Sequence, residues 1–209
     1  MRIAVILASS QADKNEFIYN AVCRYAKDAQ VVDLGCFPGE SEEYSYTEIS
    51  VLIGLLLNGG AADFVVTGCS SGQGMMLACN SMPGVLCGYA PTPMDAYLFA
   101  QINDGNAISL PLGEGYTWAG EENAERTIEK LFSEPFGQGY PKTESERKLR
   151  DTRTLKAIRA GSQISMIDLL EKLDKTFLNK VLSRKNVIRF IEENGKDEAA
   201  AKWLKERIL

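Results

Sequence analysis

Residues 63–85 read DFVVTGCSSGQGMMLACNSMPGV. The apolar run Phe64–Val66 is typical of a buried parallel strand, the small residues 68–74 predict a tight turn, and residues 75–78 predict the start of a helix. Such a junction binds anions in α/β proteins, because free backbone N–H groups and the positive helix end point at one place. Cys69 ends the strand inside this field, and a position near a helix N-terminus favours the thiolate. The sequence therefore predicts a base or nucleophile beside an anion-binding turn.

Apolar runs and helical periodicity alternate along the first part of the chain. Further strands are predicted at residues 2–8, 30–35, 84–90 and 107–110, and helices at 17–26, 46–58, 92–101 and 118–132. This alternation predicts an α/β fold, a three-layer α/β/α sandwich around a doubly wound five-stranded parallel sheet. Ligands bind such sheets outside the carboxyl ends of the strands. We therefore expect Cys69 and the Asn103–Asp104 turn to lie together at that mouth.

The character of the sequence changes after residue 141. Residues 1–141 carry a net charge of −11 and residues 142–209 a net charge of +6, which gives the −5 of the whole chain. We predict a Rossmann-like domain at 1–141, followed at 142–209 by a basic linker and a helical C-terminal extension. The extension is expected to pack on the body or on a partner subunit. Nucleic acid is not the expected partner, because the basic residues alternate with acids and lack interleaved aromatics.

Composition excludes several kinds of chemistry. The chain has no histidine, which excludes Ser-His-Asp and Cys-His catalysis and histidine-containing zinc sites. Its five cysteines form no C-x-x-C pair, so reduced thiols are expected. The apolar run at the N-terminus is too short for a signal peptide, and the most apolar segment, residues 49–57, is far shorter than a bilayer span. We expect a cytoplasmic protein without a membrane partner.

Residues 69–80, CSSGQGMMLACN, and residues 103–106, NDGN, each carry a motif that resembles one of the ribose-5-phosphate isomerase B and galactose-6-phosphate isomerase family. The segment Cys69–Gly74, CSSGQG, resembles the family's Cys-Gly-Thr-Gly-x-Gly, and Ala78 and Asn80 follow as in its Ala-Ala-Asn. The segment Asn103–Asn106, NDGN, resembles its Asn-Asp-x-Asn at a spacing that needs no gap. Tyr46 falls where the family has the tyrosine of Asp-Tyr-Pro. The resemblance covers residues 1–140 and leaves the extension outside it.

The resemblance implies an aldose–ketose isomerase that works through a cis-enediolate, without a metal or another cofactor. Cys69 would move the proton between C1 and C2, and Ser71 would assist proton transfer at the oxygens. Backbone N–H groups of the turn would hold the enediolate oxyanion. The family builds its site across a dimer interface, so a homodimer or a dimer of dimers is expected. The resemblance thus also implies that Asn103 and the C-terminal extension can serve Cys69 of the neighbouring subunit. The substrate-binding residues would be Ser9, Tyr46, Ser70, Gly72, Gly74, Asn103 and Lys142.

The chain departs from the family at three places. The Asp-His after the first strand is replaced by Ala8–Ser9, and the histidine before Asn-Asp is Ile102; these are the groups expected to open a cyclic sugar. The segment that grips phosphate through an arginine is replaced by Gln138–Pro141, so Lys142, Arg147 or Arg150 is expected to take over.

Three functions remain open from the sequence. The first is isomerisation of a sugar that needs no ring opening, such as a four-carbon sugar phosphate. The second is isomerisation of an unphosphorylated sugar. The third is a non-catalytic sugar or anion sensor, with a flavodoxin-like cofactor carrier as a more distant possibility.

Overall fold

The central sheet consists of five parallel strands. A computed structural model describes the main chain of residues 1–208 and the side chains of residues 1–207. The strands lie in the order β2-β1-β3-β5-β4, with β3 and β5 buried at every position, as expected of strands covered on both faces. The doubly wound parallel sheet predicted from the sequence is confirmed. The strands are β1 (Arg2–Val5), β2 (Gln30–Asp33), β3 (Phe64–Cys69), β4 (Cys87–Tyr89) and β5 (Ala107–Pro111).

Five helices cover the two faces of this sheet. One face packs against α1 (Ala12–Tyr25), α4 (Pro93–Leu98) and α5 (Glu121–Leu131). The other face packs against α2 (Tyr46–Asn58) and α3 (Gln73–Ser81). The start of α2 is fixed by a capping box, in which Ser45 and Glu48 satisfy each other's backbone N–H groups. The α/β/α sandwich is therefore complete before the chain reaches the extension.

Helices of the C-terminal region form an additional layer on α2. Eight consecutive residues of α2, 49–56, are buried, because the sheet lies on one side of the helix and the extension on the other. Met166, Leu170, Val181 and Trp203 belong to the same apolar cluster as α2. No helix in residues 1–208 is both long and apolar enough to span a bilayer. The helices after residue 141 are α6 (Ser145–Ser162), which contacts residues 99–103, and α7 (Met166–Leu170), α8 (Lys175–Leu182), α9 (Lys185–Asn194) and α10 (Glu198–Ile208).

The order of the strands determines where a ligand can bind. From β1 the chain passes to β2 on one side, and β3 then pairs with β1 on the other side. The carboxyl ends of β1 and β3 therefore flank the topological switch point, where open α/β sheets bind their ligands. β1 is followed there by a 3₁₀ turn at Ser9–Gln11, and β3 ends there at Cys69.

Candidate active site

Cys69 lies at the carboxyl edge of the sheet, beside the switch point. The residue is 8% exposed. Its carbonyl oxygen accepts hydrogen bonds from the N–H groups of Gly72, at 3.1 Å, and Leu112, at 3.0 Å. The chain therefore turns immediately after the cysteine, and the turn is attached to the end of β5.

The turn leads directly into the N-terminus of α3. Gly72 has a φ of 73°, and its carbonyl oxygen accepts a hydrogen bond of 2.7 Å from the buried hydroxyl of Ser109. The Ser71 hydroxyl accepts from the Gln73 N–H at 3.3 Å. The N–H of Gly74 lies in the first helical turn, where no intrahelical carbonyl can accept from it. The predicted strand, turn and helix start thus bring Ser71, Gly72 and Gly74 together around Cys69.

Sequence reasoning missed Gln11, which contacts this turn from the end of β1. Its Nε2 donates to the Ser70 hydroxyl at 3.0 Å, while the Ser70 carbonyl accepts from the Gly113 N–H at 2.8 Å. Gln11 is 4% exposed, and its Oε1 has no hydrogen-bond partner among residues 1–208. The available signal was its position, a polar residue immediately after a strand that borders the switch point.

Ser9 and Tyr46 form the wall of the site next to α2. The Ser9 N–H donates to the Tyr44 carbonyl at 2.9 Å, and the Tyr44 N–H donates to the Ser9 hydroxyl at 2.8 Å. A Cβ placed on Gly74 would lie 3.5 Å from the Tyr46 ring, so this ring stands directly beside the start of α3. Tyr46 is 43% exposed, which leaves part of its surface open at the mouth.

Asn103 and Lys142 lie at the other edge of the sheet. Cys69 pairs with Pro111 at the end of β5, whereas Asn103 precedes the start of that strand. The expectation that Asn103 and Cys69 of one chain share a mouth is wrong, because a residue before a parallel strand lies at its amino edge. Lys142 is on the side of Asn103, since the segment before it is bonded to the turn there by the Gly139 N–H, which donates to the Gln101 carbonyl at 2.8 Å.

The other candidate cations engage neighbouring acids. Arg147 pairs with Glu144 and Asp151 on its own helical surface, and Arg150 lies 3.7 Å from Asp151. At the amino edge, Lys156 pairs with Asp104 at 2.7 Å. These two residues also line a cavity of about 840 Å³ at this edge, together with Asp28, Asp63, Asn106, Glu134 and Phe136. The basic residues after position 141 that were expected to bind phosphate are therefore not grouped around Cys69 of the same chain.

Comparison with known proteins identifies related sequences and structures. The ribose/galactose isomerase family matches residues 3–152. No curated protein gives a significant match. Among solved structures, a 4-deoxy-L-threo-5-hexosulose-uronate ketol-isomerase complexed with a tartrate is 40% identical, with a TM-score of 0.92, and the match covers 99% of this chain and 98% of that one.

Two further structures differ in how much of the chain they cover. A ribose-5-phosphate isomerase from Vibrio parahaemolyticus is 32% identical, with a TM-score of 0.91 and coverage of 99% of this chain and 98% of that one. The type B ribose 5-phosphate isomerase from Trypanosoma cruzi is 24% identical, with a TM-score of 0.64, and covers 77% of this chain and 99% of its own. This last likeness concerns the fold alone. The two closer structures extend over the C-terminal helices, which the shorter protein does not match in full.

Proposed function

Because the chain belongs to the ribose/galactose isomerase family, we propose that it is a ketol-isomerase of an acyclic, unphosphorylated sugar acid of the 4-deoxy-5-hexosulose-uronate class. The observation that carries this proposal is the 40% identity, over 99% of the chain, to a ketol-isomerase of that substrate. Fold likeness alone does not fix a substrate, so the residues of the site must also fit it.

A substrate of this class requires neither the ring-opening residues nor the phosphate-binding arginine of the family, and this chain has neither at the corresponding positions. The substrate's name describes an aldehyde at C1, no hydroxyl at C4, a ketone at C5 and a carboxylate at C6. Without a 4- or 5-hydroxyl, the C1 aldehyde cannot close a five- or six-membered ring. An enzyme for this substrate needs no ring-opening acid and base, in keeping with Ala8–Ser9 and Ile102 at those positions. It also meets a carboxylate instead of a phosphate, in keeping with Gln138–Pro141 in place of the arginine segment.

The proposed reaction moves two protons, one from C2 to C1 and one from O2 to O1, and leaves the overall composition of the sugar unchanged. The Cys69 thiolate removes the proton from C2, and the electron pair of that bond forms the C1–C2 double bond while charge moves to O1. Backbone N–H groups of the turn, including that of Gly74, stabilise this oxyanion. The Ser71 hydroxyl passes the O2 proton to O1, and C1 then takes back a proton from the Cys69 thiol as the ketone forms at C2. The proposed route uses no metal.

We propose further that the site is completed by a second subunit. Asn103 and Lys142 lie at the amino edge, opposite Cys69, so they can serve only the cysteine of a neighbouring chain. Lys142 is exposed, and a lysine there would provide the positive charge for the substrate carboxylate. Leu77, on the outside of α3 and 63% exposed, offers an apolar surface for such a partner. In this arrangement Asn103 binds substrate hydroxyls.

Kinetics and isotope exchange test the assignment of Cys69. The purified protein should interconvert the acyclic hexosulose-uronate and its ketose, with solvent deuterium entering the product. Cys69→Ala should lower kcat by about 10²- to 10⁴-fold, the usual contribution of a positioned acid–base group. Cys23→Ala, which removes an exposed thiol of α1, is the matched control and should retain full activity. Activity that survives in Cys69→Ala would remove the cysteine from the mechanism.

Parallel assays decide the substrate class. A ribose 5-phosphate isomerase is the second candidate, because a protein carrying that activity is 32% identical over 99% of the chain. Preference for ribose 5-phosphate over the acyclic uronate would favour it and contradict our proposal. An absence of exchange with either compound would favour a sugar sensor.

Subunit complementation tests the shared site. Cys69→Ala and Asn103→Ala are each expected to be inactive as homodimers. Random mixing should restore about a quarter of wild-type activity, because half the dimers are mixed and each has one intact site. Asn123→Ala, on α5, is the matched control for the second change. Mixtures that stay inactive would confine the site to one chain.

A further inference from the structure

Residues 36–45 form a ten-residue loop within the link between β2 and α2, and this loop carries the wall of the candidate site. Residues 37–43 are exposed, and the main-chain hydrogen bond within this stretch is a single long one of 3.3 Å, from the Glu40 N–H to the Phe37 carbonyl. Tyr44, in contrast, is only 2% exposed. The loop is therefore held by what contacts it from outside, and its main contacts come from the C-terminal extension.

Arg184 makes the central contact between the extension and this loop. Its side chain is 7% exposed, although it is a cation. One terminal nitrogen pairs with Glu40 and the other donates to the carbonyl of Gly35, while the guanidinium lies 5.1 Å from the centre of the Tyr44 ring. The Nε of Arg184 has no partner among the residues described. A buried guanidinium is expensive to desolvate, so its location indicates a specific task for it.

Two neighbouring residues of the extension reinforce this contact. The hydroxyls of Ser183 and Tyr44 are hydrogen-bonded at 2.9 Å. Lys180 pairs with Glu42, and its amine lies 4.6 Å from the centre of the Tyr44 ring. Tyr44 is thus held by three contacts, from Lys180 in the last turn of α8 and from Ser183 and Arg184 in the link between α8 and α9.

Tyr44 connects the C-terminal extension to Ser9 and Tyr46 in the candidate site. Its main chain exchanges two hydrogen bonds with Ser9, through the Ser9 hydroxyl and the Ser9 N–H. Two residues further on, Tyr46 stands beside Gly74 at the start of α3. A displacement of Tyr44 would therefore move both the Ser9 hydroxyl and the Tyr46 ring relative to Cys69.

We propose that Arg184 is a positioning residue, which fixes the 36–45 loop through Gly35, Glu40 and Tyr44 and thereby places Ser9 and Tyr46 in the active site. The C-terminal extension is then a working part of the site of its own subunit. Arginine suits this role better than lysine, because its planar fork reaches two acceptors at once. The inference rests on the proposed function only in taking the Cys69 edge as the active site.

Alkylation of Cys36 reports on the loop without any need for activity. Cys36, the first residue of the loop, is 1% exposed, and burial raises the pKa of its thiol, with smaller opposing effects from Ser9 and Arg184. It is therefore protected in the closed structure. In Arg184→Met, N-ethylmaleimide labelling of the Cys36 peptide, followed by mass spectrometry, should be at least about tenfold faster, as expected of local opening. Arg184→Lys should fall between the two.

Two internal references distinguish an opened loop from general unfolding. Cys79 and Cys87 are buried in the main core, and their labelling should not change in Arg184→Met. Arg207→Met is the matched control, because Arg207 also pairs with a glutamate and lies over an aromatic ring, but only within the extension. Protection of Cys36 unchanged in Arg184→Met, or an equal rise at all three thiols, would overturn the proposal.

Steady-state kinetics then separate positioning from mere stabilisation. With the acyclic uronate, Arg184→Met should raise KM by at least about tenfold and leave kcat within about threefold, because the displaced wall binds substrate and Cys69 is untouched. Glu40→Gln, which keeps Arg184 but removes its ion pair, should shift KM in the same direction. An unchanged KM in both variants would overturn the inference. If the wild-type protein shows no isomerase activity, the labelling experiment still decides the role of Arg184.

Discussion

Replacing Gly72 with alanine tests the turn on which the whole site depends. Gly72 has a φ of 73°, and an L-residue held in the left-handed region costs about 1–2 kcal/mol. A Cβ there would lie 2.6 Å from the Tyr89 ring, 2.9 Å from the Pro111 nitrogen and 3.0 Å from the Leu110 carbonyl carbon. The last two are main-chain atoms of β5 that cannot rotate away, and overpacking of this kind costs about 1–3 kcal/mol. We expect Gly72→Ala to lower the free energy of unfolding by about 2–5 kcal/mol.

Gly74→Ala is the matched control, two residues further along the same turn. A Cβ there would meet its nearest neighbour, the Tyr46 ring, at 3.5 Å, which is ordinary van der Waals contact. Since Gly74 lies in the first turn of α3, alanine can stabilise the helix by up to about 1 kcal/mol. Urea unfolding, followed by circular dichroism, measures both variants. A Gly72→Ala protein with the midpoint and slope of the wild type would refute the described turn.

Three further predictions concern the interior. Ser109→Ala should lower the free energy of unfolding by about 1–3 kcal/mol, because the Gly72 carbonyl loses a buried donor. In the same urea assay, Trp203→Ala should cost about 3–5 kcal/mol in a single transition, whereas the exposed Leu155→Ala should change stability by less than about 0.5 kcal/mol. A hydrogen bond to the neighbouring Cys79, which favours the protonated Cys87 thiol, followed by burial, raises the pKa of Cys87 well above its ordinary 9.0, so stability should be full below pH 9 and decline above it as the unfolded thiol ionises. Cys87→Ala should flatten that decline in unfolding curves measured at successive alkaline pH values.

The fold was predictable because its signals are local. The strands β1 and β3 contain the continuous apolar runs Ile3–Val5 and Phe64–Val66, and the bounds of α2 agree with the predicted helix at 46–58. β1 is shorter than predicted, since residues 6–8 are buried at the carboxyl edge but lie beyond the end of the strand. The sequence ISVLIGLLL of residues 49–57 lacks a polar face. A helix of this kind is buried on all sides, so it indicates that α2 packs against further protein on the side away from the sheet.

The site was predictable only where its residues are close in sequence. Cys69 and the turn after it are neighbours, so one motif described them together. Ser109 lies in the apolar strand AISLP, and nothing near it indicates that its hydroxyl holds a turn 37 residues away. Arg184 meets the 36–45 loop across a separation of 149 residues from Gly35, which no local pattern reveals. The prediction that Asn103 lies beside Cys69 of its own chain was wrong for another reason. Asn103 precedes the strand at 107–111, and that order alone assigns it to the amino edge of the sheet.

The positions at which this chain departs from the family are those expected to recognise the substrate, and not those expected to form the enediolate. An enediolate has the same reacting atoms in every aldose, so the parts that make it in the proposed mechanism, Cys69 and the turn after it, need not change with the substrate. Ring opening and recognition of the distal group do depend on the substrate, and those are the places where this chain differs, at Ala8–Ser9, Ile102 and Gln138–Pro141. Loss of function would be expected to erode the turn as well. The hydrogen bonds that the turn accepts from Ser109 and Gly113 are present, in keeping with the proposed change of substrate.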